Sequence, residues 1–436
     1  MGGIAFFILV NIIILITCEV FGLHRTFFNL DYLICLFLIY FAHRKTAVIF
    51  FIILYSIDLL LLVRQIFPFF KFEDIVYILK FILLASQNYQ LYFVMLLGFA
   101  IFFAYFLYKV KAKQQPLIYC FLVIAFCFAI QNLYFPKNKK YIDSQIVQFI
   151  EIRFDGFVQT LDVAQYILKK FKPTSATATL YEQPEQYAER KENILFIISE
   201  SLGAPKNQGV LQRLLLPLQK NGQISDFKVS QVSYNMPTMY AEFRELCAMQ
   251  LESFNLKQVQ SSFSDCLPNI YHLQGYDTTA VHAALGVMYD RKDWYPSVGF
   301  KQMLFYEHKN WTRRCYSFSG GCDIELADDV TALLKKSKQF VYWLTLNSHA
   351  PYDSRDIIND VFPCEKFGIE SKSEVCRNFK IHAQFFETLA GILSKPDIQP
   401  TTVVIVGDHT PTIFQLEDKE KYLNGNDVLV MQFKLK

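Results

Sequence analysis

The sequence predicts two parts of different class, an N-terminal domain of membrane-spanning helices and a C-terminal α/β domain on a mainly parallel sheet. Three observations carry this expectation. Long apolar runs crowd residues 1–135, whereas residues 140–436 have an ordinary globular mixture. Beyond residue 190, four short apolar runs alternate with stretches of helical periodicity. Each of those four runs delivers a carboxylate or an imidazole at its end.

The chain has 436 residues, 53% of them hydrophobic, including 43 Phe, which is too apolar for an ordinary soluble protein. A formal net charge of +3 leaves no basic footprint for nucleic acid. A helix needs about 20 apolar residues to cross the hydrocarbon core. Five segments approach that length, 4–23, 26–42, 46–63, 91–110 and 116–135, the second being short and holding Asp31. Five spans are therefore expected. Residues 67–86, "FPFFKFEDIVYILKFILLAS", are interrupted by Lys71 and Lys80 and read as an amphipathic helix lying in the interface. The first segment has neither a basic leader nor a small-residue cleavage site, so it reads as an anchor. Basic residues gather in "AHRKT" (42–46) and "YKVKAKQQP" (108–116), which places both loops in the cytoplasm and everything beyond residue 136 outside. Glu19, Asp31 and Asp58 then fall in the outer third of their helices, where an acidic group is a functional candidate. They would suit an ammonium group; the alternative reading is that these helix ends simply reach interfacial water.

Cysteine usage supports that topology. Cys18, Cys35, Cys120 and Cys127 lie in the apolar segments. The other six, Cys247, Cys266, Cys315, Cys322, Cys364 and Cys376, all follow residue 240, and an even number in an external domain implies disulfides. Sequence leaves their connectivity open; pairing each with its nearest neighbour gives 247–266, 315–322 and 364–376.

Residues 141–170 carry apolar positions at helical spacing and read as a helix on the membrane surface. Residues 173–192 are polar and Pro-containing and read as a linker. The domain organisation expected is thus 1–140 in the membrane, 141–192 connecting, and 193–436 catalytic. In the last part the strand candidates are 193–199, 278–282, 340–349 and 401–409, and the helix candidates 209–219, 238–251, 325–337 and 374–394. Alternation of this kind implies a parallel sheet covered on both faces, whose ligands sit beyond the carboxyl ends of the strands. Glu200, His282, His349, Asp408 and His409 arrive there. Carboxylates with imidazole suit zinc or manganese. In "YNMPTMYAEFRELCAM" (234–249), Thr238 follows a Pro and opens a helical pattern. A helix N-terminus stabilises phosphate, and a hydroxyl beside a metal becomes a nucleophile; the alternative for Thr238 is an ordinary helix cap. Ser199 and Ser201 are the rival hydroxyls and are expected to tolerate alanine.

These residues resemble the alkaline-phosphatase superfamily, in the membrane-anchored, sulfatase-like branch that transfers phospholipid head groups and includes lipoteichoic acid synthase and the lipid A phosphoethanolamine transferases. The resemblance implies that Glu200, Thr238, Asp408 and His409 hold a divalent metal ion (Zn or Mn), with Thr238 as catalytic nucleophile. "TTAVHAALGVMYDRKDWYPSVGF" (278–300) is similar to a phosphate-contacting segment of the synthases, and implies phosphate binding by His282, Tyr289 and Arg291, with His349 of "NSHAPY" beside them. Tyr289 stands where the synthases have Trp, and no His follows His409 to match the one that serves a second zinc in the phosphoethanolamine transferases, which leaves one or two metals open.

The function expected is transfer of phosphoethanolamine from a membrane phospholipid donor to an envelope glycan acceptor, lipopolysaccharide or capsule, through a phospho-threonine. The protein would be a monomer, multi-pass in a bacterial inner membrane, with its catalytic domain in the periplasm. Phosphoglycerol transfer, hydrolysis of a phosphodiester or sulfate, and an inactive scaffold are the alternatives. "CLPNI" (266–270) lacks the Arg that a sulfatase's modified cysteine requires, and no candidate metal ligand is missing.

Overall fold

A computed structural model describes residues 2–21, 25–66, 79, 82–84, 87–110, 125, 142–150, 168–170, 172–234, 236–251, 263–318, 320–413 and 415–436. The chain divides into two compact units, Met1–Leu83 with Gln87–Gln165, and Tyr166–Lys436 with Leu84–Ser86.

The first unit is helical. Its helices Arg44–Ile66 and Gln87–Lys109 contain the stretches Arg44–Val63 and Gln90–Lys109, each of 20 residues and apolar enough to cross a membrane. In the first helix, Gly2–Phe21, the apolar stretch Ala5–Cys18 is shorter. The segment expected to span at 26–42 forms a helix of only nine residues, Tyr32–Tyr40. At 1.5 Å per residue it rises about 14 Å, less than half of a hydrocarbon core of about 30 Å. So two of the five expected spans are found among the described residues. The span at 116–135 and the interfacial helix at 67–86 lie outside them, save for residue 125, Leu79 and the turn Ile82–Leu84.

Polar anchoring explains why the second helix is short. Phe28–Asn29 pairs in parallel with Ile142–Asp143. Asp31 accepts hydrogen bonds from the Ser144 hydroxyl (2.6 Å) and the Ile146 N–H (2.9 Å). Below this, Arg25 meets Asp58 through two nitrogens at 2.9 and 2.6 Å, with both side chains fully buried. Asn29 and Tyr32 donate to the same carboxylate at 3.2 and 3.0 Å, and Arg25 also reaches Asn11 Oδ1 at 3.0 Å. The bidentate geometry satisfies both charges inside an apolar bundle. This overturns the ammonium-binding expectation for Asp31 and Asp58, whose oxygens are taken up within the unit. The expectation for Glu19 concerns a side chain outside the described ones.

In the second unit the sheet runs, from one edge, Gly203–Pro205, Leu423–Leu435, Thr401–Gly407, Asn193–Ser199, Gln339–Leu344, Asp277–His282 and Gln302–Leu304, with Ile224–Ser233 also pairing with Leu423–Leu435. The five from Thr401–Gly407 to Gln302–Leu304 are mutually parallel; Leu423–Leu435 is antiparallel to its neighbours. The sheet is thus mixed, with the expected parallel strands at its centre. Three of these, at 193–199, 339–344 and 401–407, are buried at every position. Leu195, Ile197, Val341, Trp343, Val403 and Ile405 point into one core with the helices Gln208–Gln219, Ala327–Leu334 and Glu374–Leu393. Phe196 and Tyr342 face the other side, where Tyr342 packs against Tyr295 and Phe300.

Several boundaries differ from expectation. The strand expected over 340–349 stops at Leu344, leaving 345–349 as a turn. The helix opening at Thr238 stops at Cys247, because Ala248 is left-handed (φ 49°) and Met249–Leu251 pairs antiparallel with Leu168–Lys170. Residues 141–170 are therefore not one helix. Residues 173–192 fold into the short helices Ala178–Glu182 and Pro184–Glu189, and Thr174 and Thr177 donate to the buried Glu245 carboxylate. That segment is part of the second unit rather than a free linker.

Each of the six later cysteines pairs with its neighbour in sequence, Cys247–Cys266, Cys315–Cys322 and Cys364–Cys376. Of the ten cysteines in the chain, alkylation of the unfolded, unreduced protein should label four, and all ten after reduction; mass spectrometry reads the count. Asp58→Ala should destabilise the detergent-purified chain by about 3–5 kcal/mol, since it strands a buried guanidinium; joint replacement of Arg25 and Asp58 by apolar residues should recover most of the lost thermal stability.

Candidate metal centre and nucleophile

The strand register builds the centre. Ser199 lies beside Gly407 in the parallel pair, so the next residues, Glu200 and Asp408, emerge side by side. Glu200 is fixed by its main chain, its N–H donating to Thr345 Oγ1 (2.9 Å) and its carbonyl accepting from Ser348 Oγ (2.6 Å). Asp408 Oδ1 accepts the N–H groups of Ser201 (2.7 Å) and His409 (2.6 Å). Ser201 turns the chain in the left-handed region (φ 55°) and its hydroxyl donates to Glu200 Oε1 at 3.0 Å. Asn378 and His382 hold the Ser201 carbonyl at 3.3 and 3.0 Å. Burial lowers the His382 pKa to about 4, so it makes this bond as a neutral donor. Ser201 is not the spare hydroxyl expected of it: it ties both carboxylates together, and His382 has more than a packing role.

Thr238 completes the group. It is the first residue of the helix Thr238–Cys247 and Pro237 is the cap, so its hydroxyl is not used as a capping group. Instead Oγ1 lies 2.8 Å from Asp408 Oδ2 and 3.0 Å from Glu200 Oε2. Arg244, from the same helix, donates to the carbonyls of Gly407 (3.1 Å) and Asp408 (3.5 Å), and pairs with Glu245 at 2.6 Å. His409 Nδ1 sits 2.9 Å from the Thr410 carbonyl. That bond puts the proton on Nδ1 and presents Nε2 to Glu200 Oε1 (3.3 Å) and Asp408 Oδ2 (3.4 Å).

The electrostatics are those of a cation site. Burial and the Glu200 charge push the Asp408 carboxyl up to about 7. Burial would raise Glu200 as well, but its hydrogen bond and attraction to His409 outweigh that and hold it well below the carboxylate range. Burial pulls His409 down, yet the two carboxylates lift it to about 10. Glu200, Asp408 and His409 offer ligand atoms all within 4.8 Å of one another, and the Thr238 oxygen adds a fourth. Two carboxylates, one imidazole and one hydroxyl fit zinc or manganese.

The strand Asp277–His282, separated from Asn193–Ser199 by Gln339–Leu344, ends in a second set of polar side chains. His282 Nδ1 is 2.9 Å from the Leu344 carbonyl, leaving Nε2 as an acceptor 3.5 Å from Arg291 Nη1. Burial and the Arg291 charge hold its pKa down to about 3, so His282 is neutral and accepts rather than donates at Nε2. Arg291 is clamped by Glu242 Oε2 at Nε (3.0 Å) and Nη2 (2.8 Å), which leaves Nη1 unused by the clamp. Tyr289 occupies a left-handed turn (φ 55°), its ring 5.1 Å from the Arg291 guanidinium, and burial pushes its hydroxyl up to about 12. His349 lies in the turn after Leu344, its Nδ1 2.7 Å from the Ala350 carbonyl. His282, Tyr289 and His349 each interact electrostatically with Glu200.

Glu242 was not singled out by sequence reasoning. It sits one helical turn beyond Thr238, on the same face, and its carboxylate is fully buried among Arg291, Tyr295 and Tyr342. An acidic residue four positions after Thr238 was the available signal. Glu242→Gln should weaken the fold by about 3–5 kcal/mol in chemical denaturation, the usual cost of leaving a buried partner unpaired; Arg291→Met in the same background should restore part of it.

Residues 192–429 match the Sulfatase family. No curated protein sequence matches the chain. Among solved structures, the lipoteichoic acid synthase LtaP from Listeria monocytogenes is similar at 17% identity and a TM-score of 0.43, over 56% of this chain and 66% of its own. The Streptococcus pyogenes phosphoglycerol transferase GacH is similar at 19% identity and a TM-score of 0.40, over 60% of this chain and 77% of its own. The lipooligosaccharide phosphoethanolamine transferase A (EptA) from Neisseria meningitidis is similar at 14% identity and a TM-score of 0.47, over 90% of this chain and 77% of its own.

Proposed function

The chain belongs to the Sulfatase family, and we propose that it transfers phosphoethanolamine from a membrane phospholipid to an envelope glycan through a phospho-Thr238 intermediate. The observation that carries this reading is the Thr238 hydroxyl, turned away from capping and held 2.8 and 3.0 Å from two buried carboxylates. A plain helix cap has no use for that geometry.

In the first step Thr238 Oγ1 attacks the phosphorus of the donor. The Oγ1–P bond forms, the P–O bond to diacylglycerol breaks, the threonine proton leaves by way of its carboxylate acceptors, and diacylglycerol takes up a proton. In the second step an acceptor hydroxyl attacks the phosphorus, the Oγ1–P bond breaks, and the acceptor's proton returns to Thr238. When bound by Glu200, Asp408 and His409 beside Thr238, a divalent cation, zinc or manganese, supplies positive charge that favours the ionised hydroxyl and offsets the phosphoryl oxygens. Arg291 offers Nη1 to a phosphate oxygen while Glu242 fixes its plane, and the helix N-terminus adds its own N–H groups. His282, with its Nε2 lone pair facing Arg291 Nη1, orients that guanidinium.

Two long apolar helices support membrane anchoring, which keeps the catalyst beside a donor that stays in the bilayer. Three disulfides support an oxidising compartment, and with it a Gram-negative periplasm and a membrane rich in phosphatidylethanolamine. A second reading, phosphoglycerol as the group transferred, is favoured by the segment 278–300 and by the loss of Asp31 and Asp58 as ammonium partners.

Thr238→Ala should abolish diacylglycerol release, and mass spectrometry of the wild-type chain quenched with donor should find the added mass on the peptide containing Thr238. Modification elsewhere, or none, removes the covalent reading. Glu200→Gln and Asp408→Asn should each lower bound metal, read by elemental analysis of the purified chain, because each removes a charge that holds the cation. In liposomes of equal phosphatidylethanolamine and phosphatidylglycerol, consumption of phosphatidylethanolamine is expected; consumption of phosphatidylglycerol alone selects the second reading.

A further inference from the structure

We infer that the loop closed by Cys315–Cys322 sets the positions of His282 and His349 for substrate, with Phe318 as its positioning residue. The inference rests on the proposed function for the role of the two histidines. The loop is a small hairpin, Arg314–Cys315 paired antiparallel with Gly320–Gly321, and the disulfide joins its ends. It reaches three parts of the site at once.

First, it takes hold of the chain just after His282. The Gly321 N–H donates to the Ala283 carbonyl at 2.9 Å, and Gly320 forms an antiparallel bridge with Ala284. The approach is so close that a Cβ on Gly320 would come within 2.5 Å of the Ala283 oxygen and of Leu346, and one on Gly321 within 2.0 Å of Trp311. Glycine is required here by contact, whatever the backbone angles.

Second, the Phe318 ring lies against the His349 ring, with centroids 4.8 Å apart. One nitrogen of His349 is fixed by the Ala350 carbonyl. A ring contact on one side and a hydrogen bond at Nδ1 together determine where Nε2 points.

Third, one end of the loop is fastened to the turn that carries His349 and the other to the segment that follows it, residues 353–356. Asp323, next to Cys322, accepts the N–H groups of Leu346 (2.9 Å) and Asn347 (2.8 Å) through one oxygen, and Asn347 Oδ1 accepts the Asp323 N–H (2.5 Å). The Asp356 carboxylate accepts the N–H groups of Tyr316 (2.7 Å) and Ser317 (2.8 Å), and the Asp353 N–H donates to Ser317 Oγ (2.7 Å). Glu200 is held through its own main-chain N–H and carbonyl, by the Thr345 and Ser348 hydroxyls of the same turn. Losing the aromatic ring therefore frees His349 without removing a metal ligand.

The test uses the full chain in vesicles of equal phosphatidylethanolamine and phosphatidylglycerol, following diacylglycerol release, metal content and thermal unfolding. Phe318→Ala and Phe318→Leu should both lower kcat/KM, by up to about a hundredfold for an ångström-scale displacement, with metal content unchanged and the chain still fully folded at the assay temperature, although Phe318→Ala lowers the unfolding temperature because the ring also packs on the core. Phe318→Tyr, which keeps the ring, should retain most of the activity. Paired replacement of Cys315 and Cys322 by Ser should act in the same direction, and Phe318→Ala should add little to His349→Ala. Wild-type activity in Phe318→Leu, or a loss that follows the metal content or the folded fraction, overturns the positioning role. Full activity in His282→Ala and His349→Ala together overturns it too, and identifies the phosphate-binding assignment as the step that failed.

Discussion

The parallel pairing of Asn193–Ser199 with Thr401–Gly407 is the constraint on which the rest of the centre depends. With Ser199 opposite Gly407, the next residue of each strand must be a neighbour of the other, and both are acids. Two adjacent buried carboxylates repel and are poorly solvated. The surroundings answer with the N–H groups of Ser201 and His409, the His409 ring and the Thr238 hydroxyl. Gly407 belongs to the same solution. A Cβ there would come within 2.3 Å of the Leu202 carbonyl, so the turn after Glu200 can pack beside Asp408 only if no side chain precedes it.

The ten-residue helix Thr238–Cys247 brings four groups to this strand pair. Thr238 offers the hydroxyl, Glu242 orients Arg291, Arg244 grips the main chain of Gly407 and Asp408, and Glu245 holds Arg244. From Met239 to Cys247 every residue is buried. Three of those side chains are charged, and their partners are all at hand, which is the condition for burying them at tolerable cost.

The central strands were legible because strands covered on both faces are continuous apolar runs, and the polar residue that ends each run marks where covering stops. Glu200, Asp408 and His409 could be read for that reason. Leu423–Leu435 was not legible: its continuous buried run is only Val428–Met431, preceded by the exposed Gly425 and Asn426, and it runs against its neighbour. Composition also cannot measure a helix. Residues 26–42 are apolar enough for a span, but hydrogen bonds from Asp31 to residues more than a hundred positions away fix where that helix begins. Asp58 looked functional because its partner, Arg25, is 33 positions distant and nothing local announces it. Glu242 and Ser201 share this difficulty, since their roles exist only once separate segments meet. The cysteine pairs were legible because each closes a local loop.

Residues 174–177 reach the centre through a short chain of bonds. Thr174 and Thr177 hold Glu245, Glu245 holds Arg244, and Arg244 holds the carbonyls of Gly407 and Asp408. Each link involves a charged partner, and the shortest, Thr174 to Glu245 and Arg244 to Glu245, are both 2.6 Å. The arrangement is a load path. Tension on the backbone at Thr174 is passed through Glu245 and Arg244 to the main-chain carbonyls of Gly407 and Asp408, the residues that end the strand beside Glu200. The stretch of chain leading into the second unit is in this sense a mechanical part of the catalytic centre.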